Sequence, residues 1–280
     1  DYAALARRAQ KVSDHLAPER RDAFYGFVLY PIKACAELNA LYLAAAQNAR
    51  YAQQGRASAN DFAARTRALF TSQTNLVDHY NRIYAGGKWN HFMDEPFIGY
   101  TSWNPPGSNN LNALKLTEVL LPEAAAMGVA VEGATGTTGG TLAFDKFGQA
   151  SRYVDVFNAG ATPFAFAATV SEPWIVLNAT QGNVDKEQRL EVSIDWQKVP
   201  TGTNNGQIAF SGAGTNFTVT VRACNPAAPT RETLQGFVEA DGFVSLEAEH
   251  YTKKTDAGAN RWIKIPNYGH TLSGMRADGP

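Results

Sequence analysis

Between Lys88 and Pro106 the chain gathers Trp89, His91, Phe92, Phe97, Tyr100 and Trp103 on a stretch cut by Pro96, Pro105 and Pro106. Such rings can stack on the C–H faces of a pyranose, and a histidine among them can exchange hydrogen bonds with its hydroxyls. Trp89, His91, Tyr100 and Trp103 are therefore the candidate substrate-binding residues. The competing reading is a buried aromatic plug with a satisfied histidine, because large rings gain most by burial; the sequence leaves both open. Carboxylate pairs are the second chemistry to test. Glycosidases flank one bond with two carboxyls, about 5–5.5 Å apart for retention and about 6.5–9.5 Å for inversion. Glu247 and Glu249, at alternate positions of an expected strand, stand about 6.6 Å apart on one face. Both point the same way, so they cannot flank a sugar, and a solvated face or an ion ligand suits them better. Asp94 and Glu95 are adjacent in a loop and diverge. No catalytic residue is assigned.

Nucleotide and metal signatures are missing from the sequence: it contains neither G-x-x-x-x-G-K-S/T, nor G-x-G-x-x-G between strand and helix, nor H-E-x-x-H, nor G-x-S-x-G. The glycine run from Gly133 to Gly140 lacks a lysine and a following helix, so it reads as a flexible linker. No metal site and no cofactor are expected. His15 and His79 fall inside helical runs and read as structural or solvent-facing.

The elements that must position the loop come before it. Phe24, Phe27, Val28, Cys35, Leu38, Leu41, Tyr42 and Ala45 recur at helical spacing, with Pro31 starting a helix or kinking one and Gly55 closing the run. A second run from Ser58, read as an N-cap with Asp61 three residues on, carries Phe62 to Tyr84 and stops at Gly86-Gly87. From about Val129 the period becomes two: Leu190, Val192, Ile194 and Trp196 alternate, as do Phe217, Val219 and Val221, with Asn205-Gly206 as the turn signal between them. Gly236 to Tyr251 alternates again. The predicted fold is multidomain α + β: an N-terminal antiparallel helical bundle with its aromatic exit loop at 1–104, a linker at 105–128, an Ig-like β-sandwich at 129–226, and the first strands of an incomplete second β-sandwich at 236–280.

Composition narrows the partners. With 25 Lys+Arg against 26 Asp+Glu the formal net charge is −1, which lacks the basic patch of a nucleic-acid binder. No apolar run approaches the roughly 20 residues of a membrane span. Cys35 and Cys224 lie in segments of different character and read as two free thiols. Asn178 and Asn216 match the short glycosylation sequon, which matters only in a eukaryotic secreted host. Asp1 opens inside a helical pattern, so the chain reads as the inside of a longer one.

The segments Arg21-Asp-Ala-Phe-Tyr-Gly-Phe-Val-Leu-Tyr-Pro-Ile-Lys-Ala, Leu41-Tyr-Leu-Ala-Ala, Gly86-Gly-Lys-Trp-Asn-His-Phe-Met-Asp and Ile98-Gly-Tyr-Thr-Ser-Trp resemble the helical domain of glycoside hydrolase family 115, the xylan α-1,2-glucuronidases. Gly148-Gln-Ala-Ser-Arg-Tyr-Val-Asp-Val-Phe-Asn, Trp174-Ile, Val192-Ser-Ile-Asp-Trp and Val244-Ser-Leu-Glu-Ala-Glu-His-Tyr resemble the family's β-rich C-terminal part. The resemblance implies an exo-acting enzyme that removes (4-O-methyl)glucuronic acid from glucuronoxylan with inversion. It also implies that the catalytic carboxylates sit in an α/β domain and barrel preceding the helical region. Nothing in this chain matches those domains, so the fragment alone is expected to be inactive. It is expected to support the barrel and contact xylan, in a secreted or periplasmic protein. Expected partners are glucuronoxylan or a related plant polysaccharide and a second copy in a homodimer of the parent enzyme; nucleic acid and membrane are not. The alternative is a freestanding polysaccharide-binding or structural module without catalysis.

Overall fold

The apolar stripe Leu41, Ala44, Ala45 and Tyr51 recurs at helical spacing and is buried, because one face of a long helix must pack on a neighbour. The computed structural model describes residues 2–100, 103–134, 136–137, 139–230, 232–240, 242–268 and 272–279. The helical region comprises α1 (Tyr2–His15), α2 (Pro18–Phe24), α3 (Tyr30–Gln53) and α4 (Ser58–Arg82). A π-helical turn, Tyr25–Leu29, joins α2 to α3 directly before Pro31. Proline offers no N–H and its ring crowds the carbonyl four residues back, so Pro31 distorts one long helix there. α3 and α4 pack as an antiparallel hairpin whose tip turns at Gly55, φ 67°.

The N-cap expected at Ser58 is corrected. The capping position is Ala57, with no side-chain cap. Ala57 N donates to Asn158 O at 2.8 Å, and Ser58 Oγ donates to Glu187 Oε2 at 2.9 Å. The start of α4 is satisfied by the neighbouring β-region, so the hydroxyl is spent across an interface.

That β-region is a two-sheet sandwich. Its strands are β1 (Met127–Val131), β2 (Gly140–Asp145), β3 (Ser151–Asn158), β4 (Phe164–Val170), β5 (Ile175–Leu177), β6 (Gln181–Val184), β7 (Glu187–Ile194), β8 (Gly202–Gly212) and β9 (Thr215–Asn225). One sheet has the order β1-β3-β7-β5, the other β2-β9-β8-β4-β6, with β2 parallel to β9. Val129, Val154, Leu190 and Val192 from the first meet Leu142, Phe166, Ile208 and Val221 from the second. Each such side chain contributes about 1.5–3 kcal/mol by leaving water. Cys35 and Cys224 are free thiols.

Three further expectations are revised. Asn205-Gly206 lies inside β8, facing Arg222 and Val221 of β9. A Cβ on Gly206 would come within 2.8 Å of Ile175 and 3.1 Å of Trp174, so this glycine gives room beneath a buried indole. The turn is Ala213-Gly214, with φ of 45° and 71°, the left-handed pair that a two-residue hairpin demands. The glycine run is no flexible linker at its end, because Gly139 and Gly140 pack against Thr218 and Val131 as the chain crosses between sheets; Thr135 and Thr138 lie outside the described residues. The alternating strand expected from Gly236 to Tyr251 breaks up. Among the described residues only β10 (Glu239–Ala240) and β11 (Phe243–Val244) form there, followed by a 3-10 turn at Ala248–His250. Glu247 and Glu249 therefore do not share a strand face. Beyond them β12 (Arg261–Ile265) pairs with β13 (Gly274–Asp278).

The stretch from 105 to 128 lies along the helical hairpin. Asn48, fully buried on α3, donates to Thr117 O at 2.8 Å and accepts from Thr117 N at 2.9 Å. Asn60 does the same with Val119, at 3.0 and 2.8 Å. At the hairpin tip Arg56, 2% exposed, reaches Asp155 Oδ2 and Glu187 Oε2, each at 3.1 Å, and stacks on Tyr51 and Phe157.

Candidate functional site

The exit loop is built on a cluster of tyrosines. Tyr25, Tyr30, Tyr80 and Tyr84 approach with ring centroids 4.4 to 6.3 Å apart. Gly26 makes this possible, since a Cβ there would sit 2.3 Å from the Tyr84 hydroxyl. Burial, and next the neighbouring phenols, push Tyr25 and Tyr30 up to about 12. Both stay neutral donors at any physiological pH. After α4, Ala85, Gly86 and Gly87 take left-handed φ values of 50°, 67° and 78° and turn the chain back over this cluster.

Trp89 then hydrogen-bonds Tyr84, lies 5.7 Å from Phe92, and has the Lys88 ammonium 5.0 Å from its ring. Phe92 stacks at 6.2 Å on Tyr80. His91 sits at φ 67° with its Nδ1 2.6 Å from Asp94 Oδ2. Asp94 Oδ1 accepts from Asn81 Nδ2 at 2.7 Å, and Asn81 Oδ1 accepts from Met93 N at 2.9 Å. The result is a carboxylate-oriented imidazole on a loop tied to the buried end of α4. Its side chain is 79% exposed, so the ring edge away from Asp94 is open to a ligand hydroxyl.

The far arm of the loop is pinned separately. Phe97 N and Ile98 N both donate to Asn109 Oδ1 at 2.8 Å, and Gly99 N donates to the Tyr42 hydroxyl at 3.1 Å. Ile98 is buried as its anchor, whereas Tyr100 is exposed and Trp103 is 88% exposed. The buried-plug reading therefore does not describe these rings. Thr101 and Ser102 lie outside the described residues.

The four candidates nevertheless do not line one concavity. The groove beside the loop, about 310 Å³, is walled by Phe92, Met93 and Phe97 from the loop and by Tyr30 and Leu38 from α3. Its polar members are Glu95 and Gln73. Gln73 is 1% exposed, and its Oε1 has no hydrogen-bond partner among the described residues. Burying an acceptor without a donor is costly, and no described donor meets this one. The sequence reading missed it, although Gln73 lies seven residues before Tyr80 on the same helical face, a polar side chain at a core position.

Among the described residues no group of three or more His, Cys, Asp or Glu side chains could hold a metal ion, and no helix is long and apolar enough to cross a membrane.

Residues 236–279 match the family model described as the glycosyl hydrolase family 115 C-terminal domain. The matched stretch begins with β10–β11 and holds the β12–β13 hairpin. No curated protein matches the chain. Among solved structures, a Bacteroides ovatus GH5 xyloglucanase in complex with a XXXG heptasaccharide is 17% identical, at a TM-score of 0.29, over 38% of this chain and 20% of its own. The E. coli chaperone DraB is 9% identical over 39% of this chain and 59% of its own, at 0.30. The PapD-like domain 7 of human CEP192 is 8% identical over 41% and 94%, also at 0.30. The chain thus spans a fifth of the xyloglucanase, and likenesses this loose decide nothing about its activity.

Proposed function

We propose that this chain is an accessory C-terminal part of a secreted or periplasmic glycoside hydrolase that removes (4-O-methyl)glucuronic acid from glucuronoxylan. The family 115 match at 236–279 carries the reading, and the helical motifs from Arg21 to Trp103 support it. The catalytic carboxylates belong to domains preceding the helical region. The hairpin of α3 and α4 buttresses them, and the exit loop borders the cleft. There Trp89, Tyr100 and Trp103 offer faces for xylosyl units, and His91, oriented by Asp94, exchanges a hydrogen bond with a sugar hydroxyl. The parent enzyme works as a homodimer.

Glucuronic acid release from glucuronoxylan tests this. The protein carrying its catalytic domains releases the acid, and the 280-residue chain alone releases none. Trp89→Ala, His91→Ala and Trp103→Ala in the full protein raise KM about three- to tenfold with kcat within about twofold, the mark of binding lost equally from ground state and transition state. Release by the isolated chain would place the chemistry here and overturn the assignment. The exposed rings also suit a freestanding polysaccharide-binding module. Xylan retardation in an affinity gel that is lost in these variants, with no hydrolase activity in the full protein, would favour that reading.

A further inference from the structure

Trp262 on β12, 46% exposed, forms a ridge between two concavities. One, about 380 Å³, is walled by Tyr251, Lys253, Lys254 and Met275. The other, about 370 Å³, is walled by Asn260, Arg261 and Ala277, and Thr255 lines both. Both volumes are in the range of small-molecule sites.

The ridge is held from behind. Lys254 Nζ donates to Trp262 O at 3.1 Å, and Trp262 N donates to Asp256 Oδ1 at 3.1 Å, so both backbone groups of the tryptophan are fixed. Lys254 also stands 3.4 Å from Asp256. The 3-10 turn that leads to Tyr251 is tied to the hairpin by Glu249. Its carboxylate takes a hydrogen bond from Ser273 and lies 2.9 Å from Lys264 Nζ, a charge contact outside hydrogen-bond geometry. Those two contacts hold the Glu249 carboxyl below its usual range. Tyr251 is thereby kept across the first concavity from Trp262, itself exposed.

Lys253 makes no ion pair with a described residue, whereas Arg261 stands opposite Asp278 in the strand register and its charge helps to lower the Asp256 carboxyl, which Lys254 and the Trp262 N–H already engage. A neutral sugar would use the rings and leave the cations idle. A simple anion would use the cations and leave the indole bare. A polyanion such as nucleic acid needs a concentrated basic face, which this chain at net −1 lacks. Rings with the unpaired Lys253 ammonium on one side and the Arg261 guanidinium on the other match a saccharide that carries a carboxylate.

We propose that the face around Trp262 binds an acidic oligosaccharide. A uronosyl unit stacks on the indole with its carboxylate toward Lys253, and the chain crosses the ridge so that the next sugar lies beside Arg261. The proposal deepens the function given above and rests on it for the substrate class.

The test follows the Trp262 indole N–H of the isotope-labelled 280-residue chain. The probes are sodium D-glucuronate, an aldotriouronic acid from xylan, and neutral xylotriose. The acidic trisaccharide shifts the Trp262 signal and binds about two- to fivefold more tightly than xylotriose at low salt, the preference expected of one exposed ion pair. High salt abolishes the difference. Lys253→Gln removes the preference and keeps neutral binding. Trp262→Ala weakens both ligands about tenfold, as loss of a central aromatic anchor does. Where Trp262→Ala loosens the hairpin, Trp262→Phe, which keeps a ring, and Lys253→Gln decide. Equal affinity for acidic and neutral trisaccharides, or shifts at Trp89 and Trp103 with Trp262 unmoved, overturns the proposal. Glucuronic acid release by the full protein with a silent Trp262 sinks this site alone. A responding Trp262 with no release from glucuronoxylan sinks the hydrolase reading and leaves the site.

Discussion

Asn81, buried in the last turn of α4, commits both ends of its amide to the exit loop, to Met93 N and to Asp94. Asp94 in turn fixes His91. Asn81→Ala leaves the Met93 N–H and one carboxylate oxygen short of a partner, at a cost of about 1–3 kcal/mol. Urea unfolding should show that loss, and the His91 ring signals should sharpen toward those of a free histidine. Asn81→Asp keeps the acceptor for Met93 but faces Asp94 with a second carboxylate. It should therefore be the worse variant at neutral pH and recover as acid protonates one of the pair. A Asn81→Ala protein with unchanged stability and an unchanged His91 environment would show that the loop is held by its rings instead. The sequence showed His91 among aromatics but could not show what orients it. Helical spacing marks Asn48, Gln73 and Asn81 as polar groups on buried faces, yet their partners, such as Thr117 for Asn48, lie in parts of the chain that periodicity does not relate.

At the scale of elements, strand positions were legible wherever one face is buried: Leu190, Val192 and Ile194, and Val219 and Val221, fall where alternation puts them. Turns and breaks were less so, because tertiary contacts override local chemistry at Gly206, under Trp174, and at Glu249, drawn to Ser273 and Lys264. Least legible was the joint between helices and sandwich. Arg56 at the tip of the α3–α4 hairpin bonds Gln54, Asp155 and Glu187, and Asp155 is shared with Arg189, whose guanidinium that hydrogen bond holds above its usual pKa. Charges this buried are neutral to stability as a set and costly when one partner goes. Arg56→Ala should cost about 3–5 kcal/mol. It should also separate the helical circular dichroism transition from that of the buried Trp174 fluorescence, two transitions expected to coincide in the wild type. Coincident transitions in the variant would mean that the remaining links, Asn48 and Asn60 to the 117–119 segment, Ser58 to Glu187 and Ala57 to Asn158, couple the two parts without Arg56.

Across the whole molecule the coupling is uneven. Helices and sandwich meet through Arg56, through the segment held by Asn48 and Asn60, and through Asn158, whose amide binds Thr162 O and Asp185 O while its backbone carbonyl receives Ala57 N. Beyond Asn225 no described hydrophobic side chain is buried, and Phe237, Phe243, Leu246 and Tyr268 stand exposed. Two-stranded ribbons of this kind are marginal in water, so the region from 236 onward should open locally without the rest. In hydrogen exchange the amides of β12 and β13 should exchange far ahead of those of β8 and β9. A protease should cut first between 227 and 235, leaving a 1–226 core whose Tm moves by less than about 2 °C. Acid sharpens the test. Because the Glu249 carboxyl is held below its unfolded value, its contribution is complete above that value and disappears as pH falls through the depressed one. Protection of β12 and β13 should fade in that window while β8 and β9 remain closed. If all four strands lost protection in a single transition, the ribbons would be part of the same cooperative unit as the sandwich. Saccharide binding at the Trp262 face would then add the same protection to β8 and β9 as to β12 and β13. In the separable case binding should protect β12 and β13 alone, because a ligand that prefers the closed ribbon stabilises only that ribbon.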